Sequence, residues 1–214
     1  MHTVLIVDDH SIVREGLKRI LLADGRFSSV EEAGSGHEAL QIILEKNHDL
    51  IILDISMPGR DGIEILKEIK LIRPRACVLI LSMHSEEQYG VRALKAGAEG
   101  YVSKESAATD LVTAIDAILN GSKYITPTLA EKIAFNLTKK NPDRMHENLS
   151  DREYQIMCKL AIGKTISEIA SELSLSKQSI STYRNRTLQK MNLKNNGELM
   201  YYAIKNGLVD EYMQ

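Results

Sequence analysis

Leu50-Ile51-Ile52-Leu53-Asp54-Ile55-Ser56-Met57-Pro58-Gly59 is the stretch that decides the fold. Four apolar residues in a row, stopped by a carboxylate and then by Pro-Gly, read as a short strand buried on both faces and ending in a polar turn. Working outward, similar runs recur at Thr3 to Val7, Ser29 to Ala33, Cys77 to Ser82 and Gly100 to Ser103. Amphipathic helical patterns separate them near Ile12 to Leu22, His37 to Lys46, Gly62 to Ile72 and Glu87 to Ala96, and a fifth follows at Asp110 to Leu119. Five βα units predict an α/β fold, a five-stranded doubly wound parallel sheet with helices on both faces. Ligands of such sheets bind at the carboxyl ends of the strands.

Those ends carry the polar residues. Asp8-Asp9 follows the first strand, Asp54 the third, Ser82 the fourth and Lys104 the fifth. Three carboxylates side by side repel one another unless a hard divalent cation sits among them, and oxygen ligands suit Mg²⁺. With a metal and the Lys104 ammonium neutralising a phosphoryl group and the Ser82 hydroxyl donating to it, Asp54 can attack a phosphoryl donor. Alone, each aspartate would more often fill a turn or cap a helix; five such groups at ordered strand ends make a pocket.

The chain has 214 residues and a net charge of −2, with 43% hydrophobic and 26% charged residues. That is the composition of an ordinary globular protein long enough for two domains. The apolar runs are strand length, so no membrane crossing is expected. Met1-His2-Thr3 enters the first strand without a secretory pattern, and Cys77 and Cys158 are expected as reduced core thiols, which points to a cytoplasmic protein.

Beyond Asn120-Gly121, Thr126-Pro127 starts a short helix through about Leu137, and the polar segment Lys139 to Asn148 reads as a flexible linker. The remaining residues form four short helices. Ser150 with Glu153, Thr165 with Glu168 and Asn195 with Glu198 match or approximate capping boxes; Ser176 caps a further helix, and Gly163 and Gly207 suit left-handed stops. Thr165 to Leu173, a turn at Ser174-Leu175-Ser176 and a helix from Lys177 to about Met191 have helix-turn-helix spacing. Ser176 to Lys194 holds Lys177, Arg184, Arg186, Lys190 and Lys194 and no acidic residue. A charge run is commonly just a solvated face, but beside this motif it predicts double-stranded DNA as partner.

Residues 1 to about 120 resemble the receiver domain of bacterial response regulators through Val7-Asp8-Asp9-His10, Leu53 to Gly59, Leu81-Ser82 and Gly100-Tyr101-Val102-Ser103-Lys104. Residues 148 to 211 resemble the LuxR-type helix-turn-helix of the NarL/FixJ family through Leu149 to Glu153, Ile166 to Ala170, Leu175-Ser176 and Leu188 to Leu193. The resemblance implies a flavodoxin-like receiver (1–120), a linker with a short helix (121–147) and a four-helix DNA-binding domain (148–214). It implies a phosphorylation-controlled transcriptional regulator rather than an enzyme, with Asp54 phosphorylated by a sensor histidine kinase. By the same resemblance Asp9 binds Mg²⁺ directly and Asp8 through water, while Asp54 and the backbone carbonyl of Ser56 complete the ligands. Ser82 and Tyr101 act as the switch.

In the second domain, the resemblance places Ser181, Thr182 and Asn185 in the major groove and Lys177, Tyr183, Arg184, Arg186 and Lys190 on phosphates. The helix from Asn196 to Asn206, with Leu199, Tyr202 and Ala203, resembles the one through which such modules dimerise, which implies a homodimer on two half-sites when phosphorylated or DNA-bound. Many receivers place proline after the lysine in a cis peptide, whereas Glu105 follows Lys104 here. A cis bond before a non-proline residue costs about 3 kcal/mol, so that loop is left open.

Other patterns weigh less. Gly34-Ser35-Gly36-His37-Glu38-Ala39 fits a dinucleotide fingerprint but lies in the second βα unit, and the first unit's Asp8-Asp9 would repel a pyrophosphate. An Mg²⁺-dependent aspartyl-phosphate hydrolase of the haloacid dehalogenase type is the rival function, yet Ser56 stands where that family has a second aspartate. A receiver with a protein-binding output domain is the other alternative. The six histidines show no metal-ligand spacing, so zinc is not expected. His84 is read as a surface-loop residue that could face the pocket.

Overall fold

The computed structural model describes residues 1–138 and 145–209. The chain divides into two compact units, Met1–Lys132 and Ile133–Gln214.

In the first unit, strands β1 (His2–Val7), β2 (Phe27–Ala33), β3 (Leu50–Leu53), β4 (Val78–Ser82) and β5 (Gly100–Ser103) alternate with helices α1 (Ser11–Ala23), α2 (Gly36–Glu45), α3 (Gly62–Ile72), α4 (Glu86–Lys95) and α5 (Ala107–Leu119). The strands form one parallel sheet in the order β2-β1-β3-β4-β5. All four residues of β3 are buried, because helices cover both faces and no alternation of polar and apolar residues is needed. One core gathers Val4, Ile6, Leu50, Ile52, Leu79 and Leu81 from the sheet with Leu111, Ala114, Ile115 and Ile118 from α5.

The register places the site. Val7 pairs with both Ala33 and Leu53, Leu53 with Ile80, and Ser82 with Ser103. The residues leaving β1, β3, β4 and β5 therefore emerge along one rim. The sheet order reverses between β1 and β3, so the crevice of the switch point opens beside Asp8 and Asp54. The Lys104–Glu105 peptide is trans.

Two elements start two or more residues earlier than their sequence patterns suggest. β2 begins at Phe27, which is buried and paired with His2, and the register shifts over Ser28 before Thr3 pairs with Ser29; tertiary pairing overrides the weak strand preference of serine. α5 begins at Ala107, since Ala107-Ala108 are strong helix formers. Residues 121–132, read from sequence as the start of the linker, belong to the first unit. Tyr124 N–H donates to the Glu99 carbonyl, the Thr126 hydroxyl meets the Glu86 carboxylate at 2.7 Å, and Leu129 is buried over Gly90. Of the polar stretch Lys139 to Asn148, residues 139–144 lie outside the described residues. Met145–Asn148 forms a short 3-10 turn rather than open chain.

Gly62, at the start of α3, packs directly on the strand-end loop that carries Asp54: a Cβ there would overlap Cα and Cβ of Ile55. Backbone cannot swing aside as a side chain can, so Gly62→Ala is expected to destabilise the unit by about 3 kcal/mol. A denaturant melt of the full chain checks this; an unchanged midpoint would show that the Ile55 loop yields freely.

Helix α6 (Pro127–Thr138) spans the division between the units. The second unit continues with α7 (Asp151–Ala161), α8 (Ile166–Glu172), α9 (Lys177–Lys190) and α10 (Asn196–Lys205). Ser150 and Thr165 form complete capping boxes with Glu153 and Glu168, and Ser176 accepts from the Ser179 amide. Asn195 caps α10, but the Glu198 carboxylate accepts from the Lys194 amide instead of closing the box. Gly163 and Gly207 have φ of +85° and +60° at helix ends. Between α8 and α9 the chain reverses through Ser174, also at positive φ, and Leu175 N–H returns to the Ala170 carbonyl. Ile169, Leu173, Ile180, Met191 and Leu199 close the small core. Among the described residues both cysteines are free thiols, and no helix is long and apolar enough to cross a membrane.

Candidate phosphoacceptor pocket and nucleic-acid interface

At the rim, Asp8 and Asp54 are almost fully buried, and one ammonium joins them. Lys104 Nζ lies 2.6 Å from Asp8 Oδ2 and 2.7 Å from Asp54 Oδ2. Burial pushes the Asp54 carboxyl above its ordinary value, against the pull of Lys104. Burial would also lower the Lys104 ammonium, but its bonds to Asp54 and Asp8 outweigh that and raise it. One cation thus faces two buried carboxylates, an excess of negative charge that favours a further cation.

The other groups surround Asp54. Ser56 N–H donates to Asp54 Oδ1 at 2.7 Å, fixing the carboxylate in a tight turn. Ser56 Oγ and Ser82 Oγ lie 3.0 Å apart. The backbone of His84 connects two more residues: its N–H donates to Ser82 Oγ at 3.2 Å, and its carbonyl, in the next peptide, accepts from the Tyr101 hydroxyl at 2.8 Å. Tyr101 is fully buried, its ring turned inward. The His84 ring stacks on Tyr89 of α4, with centroids 4.8 Å apart, instead of facing the pocket as a lone loop residue.

The donor set suits a divalent cation. Asp8, Asp9 and Asp54 each offer a carboxylate oxygen within 4.8 Å of the others, and Asp9 Oδ1 is buried with no hydrogen-bond partner. A buried oxygen left without a donor is costly unless a cation takes its place. His10 belongs to the same cluster. A single histidine beside two aspartates is not a recurrent His–His or His–Cys pattern, so ligand spacing does not reveal it; its place directly after a strand end is the available signal.

In the second unit, Ile180, Thr187 and Leu188 turn α9 into the core. Lys177, Thr182, Asn185 and Arg186 are exposed, and Ser181, Tyr183 and Arg184 are half-buried. At 100° per residue, Thr182 stands opposite the buried face, with Asn185 and Ser181 toward its flank. Two of the predicted cations have partners within the unit. Arg184 Nε donates to Asn196 Oδ1 of α10 at 2.7 Å, and Lys190 Nζ lies 2.7 Å from the buried Glu153 carboxylate. Lys177 and Arg186 are exposed, toward opposite ends of α9 and half a turn apart around its axis. On α10, Leu199, Tyr202 and Ala203 are buried within their own unit, while Met200, Tyr201 and Ile204 are the exposed apolar residues.

Residues 4–116 match the family described as the response regulator receiver domain, and residues 147–203 match the bacterial regulatory proteins of the luxR family. Response regulator UvrY of Escherichia coli K12 is 34% identical over 97% of this chain and 96% of its own length. Response regulator GacA of Pseudomonas aeruginosa is 31% identical over 98% and 99%. The structure of RcsB from Salmonella enterica serovar Typhimurium, bound to the promoter rprA in the presence of phosphomimetic BeF₃⁻, superposes with a TM-score of 0.66 at 29% identity, covering 94% of this chain and 97% of that one. The chain therefore belongs to the response regulators that join a receiver domain to a luxR-type helix-turn-helix domain, a family of DNA-binding transcriptional regulators.

Proposed function

We propose that a sensor histidine kinase phosphorylates Asp54 and that the phosphorylated chain binds promoter DNA through α9. The observation that carries the reading is the Lys104 ammonium held on both Asp54 and Asp8. It gives Asp54 the counter-charge that a carboxylate needs in order to accept a dianion. Asp8, Asp9, Asp54 and the Ser56 carbonyl would hold Mg²⁺, which when bound neutralises the oxygens of the incoming phosphoryl group. Ser82 donates to that group once its hydroxyl leaves Ser56. Because the His84 backbone is bonded to Ser82 through its N–H and to Tyr101 through its carbonyl, movement of Ser82 would be passed to the ring and to the start of α4.

In the second unit, Ser181, Thr182 and Asn185 would read base edges, and Lys177, Tyr183 and Arg186 would contact phosphates. Arg184 and Lys190 would have only the donors left over from their internal partners to offer phosphates. A homodimer through α10 on two half-sites and a cytoplasmic setting complete the proposal, with the first unit as phosphoacceptor, the chain from its end to 147 as connector and 148–214 as output.

Incubation with Mg²⁺ and acetyl phosphate tests the reading. One phosphoryl group per chain is expected, with tighter duplex binding, and Tyr101→Phe should keep the label but lose part of that gain. Multiple-turnover hydrolysis of unrelated phosphate esters would instead identify a phosphohydrolase.

A further inference from the structure

The pocket contains a nitrogen that oxygen-based Mg²⁺ chemistry does not use. His10 Nδ1 lies 3.2 Å from Asp8 Oδ1 and 3.1 Å from Asp9 Oδ1. Its own backbone N–H donates to the same Asp8 Oδ1 at 2.8 Å, so the ring is held at the mouth of the crevice. The approach to Asp9 lacks hydrogen-bond alignment and leaves Asp9 Oδ1 buried without a donor. Lys104 occupies the opposite oxygens, Asp8 Oδ2 and Asp54 Oδ2. Asp8 Oδ1, Asp9 Oδ1 and His10 Nδ1 therefore converge on the side of the pocket that the lysine does not fill.

The chemistry of this set differs from that of a pure carboxylate site. Mg²⁺ takes oxygen ligands and keeps much of its water, and an imidazole offers it little. Zn²⁺ is bound by histidine nitrogen together with carboxylate oxygens, and imidazole selects the first-row transition ions generally. The His10 side chain makes no capping hydrogen bond to α1 and is two-thirds exposed; the hydrogen bond it does make, from Nδ1 to Asp8 Oδ1, holds it at the pocket.

We propose that His10 is a specificity-determining ligand that lets the pocket take imidazole-preferring divalent ions, Zn²⁺ above all, in competition with Mg²⁺. The inference rests on the reading of Asp8, Asp9 and Asp54 as the divalent-cation site. It makes the phosphoacceptor pocket sensitive to the supply of transition metal: an ion held by His10 and the aspartates occupies the place that Mg²⁺ needs.

The test is a binding titration on the full chain with the metals alone, Zn²⁺ against a chromophoric zinc indicator and Mg²⁺ by calorimetry. In the unsubstituted protein Mg²⁺ is expected to displace Zn²⁺. His10→Ala should weaken Zn²⁺ by about tenfold or more and move Mg²⁺ by less than about threefold, with an unchanged thermal melt. An equal Zn²⁺ affinity in His10→Ala overturns the inference, as does Zn²⁺ that Mg²⁺ cannot displace and that Asp9→Asn does not weaken, which would place the ion on other histidines. If Mg²⁺ itself fails to bind the unsubstituted chain, the cation-site reading falls first and the inference with it.

Discussion

The Asp54→Asn chain is expected to take up no phosphoryl group from acetyl phosphate under conditions in which the unsubstituted chain takes up one equivalent. The amide keeps the shape of the carboxylate and can still accept from Ser56 N–H, so the turn after β3 should survive. What disappears is the anionic oxygen that attacks phosphorus. An amide oxygen is a far poorer nucleophile, and a loss of about a thousandfold or more in the labelling rate follows. The substitution also removes one of the two negative charges that hold Lys104. The ammonium retains Asp8, so the pocket relaxes toward charge balance and the thermal melt should hold or rise. Lys104→Met has the opposite signature: it leaves two buried carboxylates without their cation, a change that costs about 3 to 5 kcal/mol when a buried pair loses one partner. Intact-mass spectra after phosphodonor treatment, read beside the melts, separate the two effects. Stoichiometric label on Asp54→Asn would move the phosphoacceptor elsewhere and sink the assignment.

The contrast between these variants reflects what a sequence can disclose. Leu50 to Leu53 and Gly62 to Ile72 match their observed bounds because both signals are local: an unbroken apolar run closed by Asp-Ile-Ser, and Asp61 placed to cap the helix. Asp8, Asp54, Ser82 and Lys104 were legible as a group because parallel strands bring their carboxyl ends together whatever the side chains are. Distances are another matter. That Lys104 bridges Asp8 and Asp54, and that His84 ties Ser82 to Tyr101 by its backbone, depends on loop paths that no periodicity encodes. His10 is adjacent in sequence to Asp8 and Asp9, and only the turn after β1, which folds its ring back toward their carboxylates, brings it into the cluster. Lys177, Arg184, Arg186 and Lys190 on α9, with Lys194 just beyond it, formed a visible basic run, yet internal contacts sort them. Arg184 turns toward Asn196 and Lys190 reaches back to Glu153, contacts made with residues 12 and 37 positions away along the chain.

That sorting fixes the expected result for DNA. Lys177→Ala combined with Arg186→Ala should weaken duplex binding far more than Lys190→Ala, whose ammonium already has a carboxylate partner at 2.7 Å. Each phosphate neutralised by a lysine or arginine releases condensed counterions, so the logarithm of the binding constant falls with the logarithm of salt at a slope of about −0.9 per contact. Removing two contacts should flatten the slope by about 2. At about 0.15 M salt the same relation gives roughly fivefold in affinity per contact, or about thirtyfold for the pair, with equal loss on specific and unrelated duplexes. Thr182→Ala or Asn185→Ala should behave differently, leaving the slope nearly intact and narrowing the gap between specific and unrelated sequence, since base-edge contacts discriminate but release few ions. Lys190→Ala should show itself in the melt, because Glu153 is buried and also closes the cap of α7, so losing its cation disturbs the helix start rather than the interface. Binding isotherms at four or more salt concentrations on phosphorylated protein distinguish these cases. A slope unchanged in the Lys177 and Arg186 double variant would show that another surface meets the phosphates.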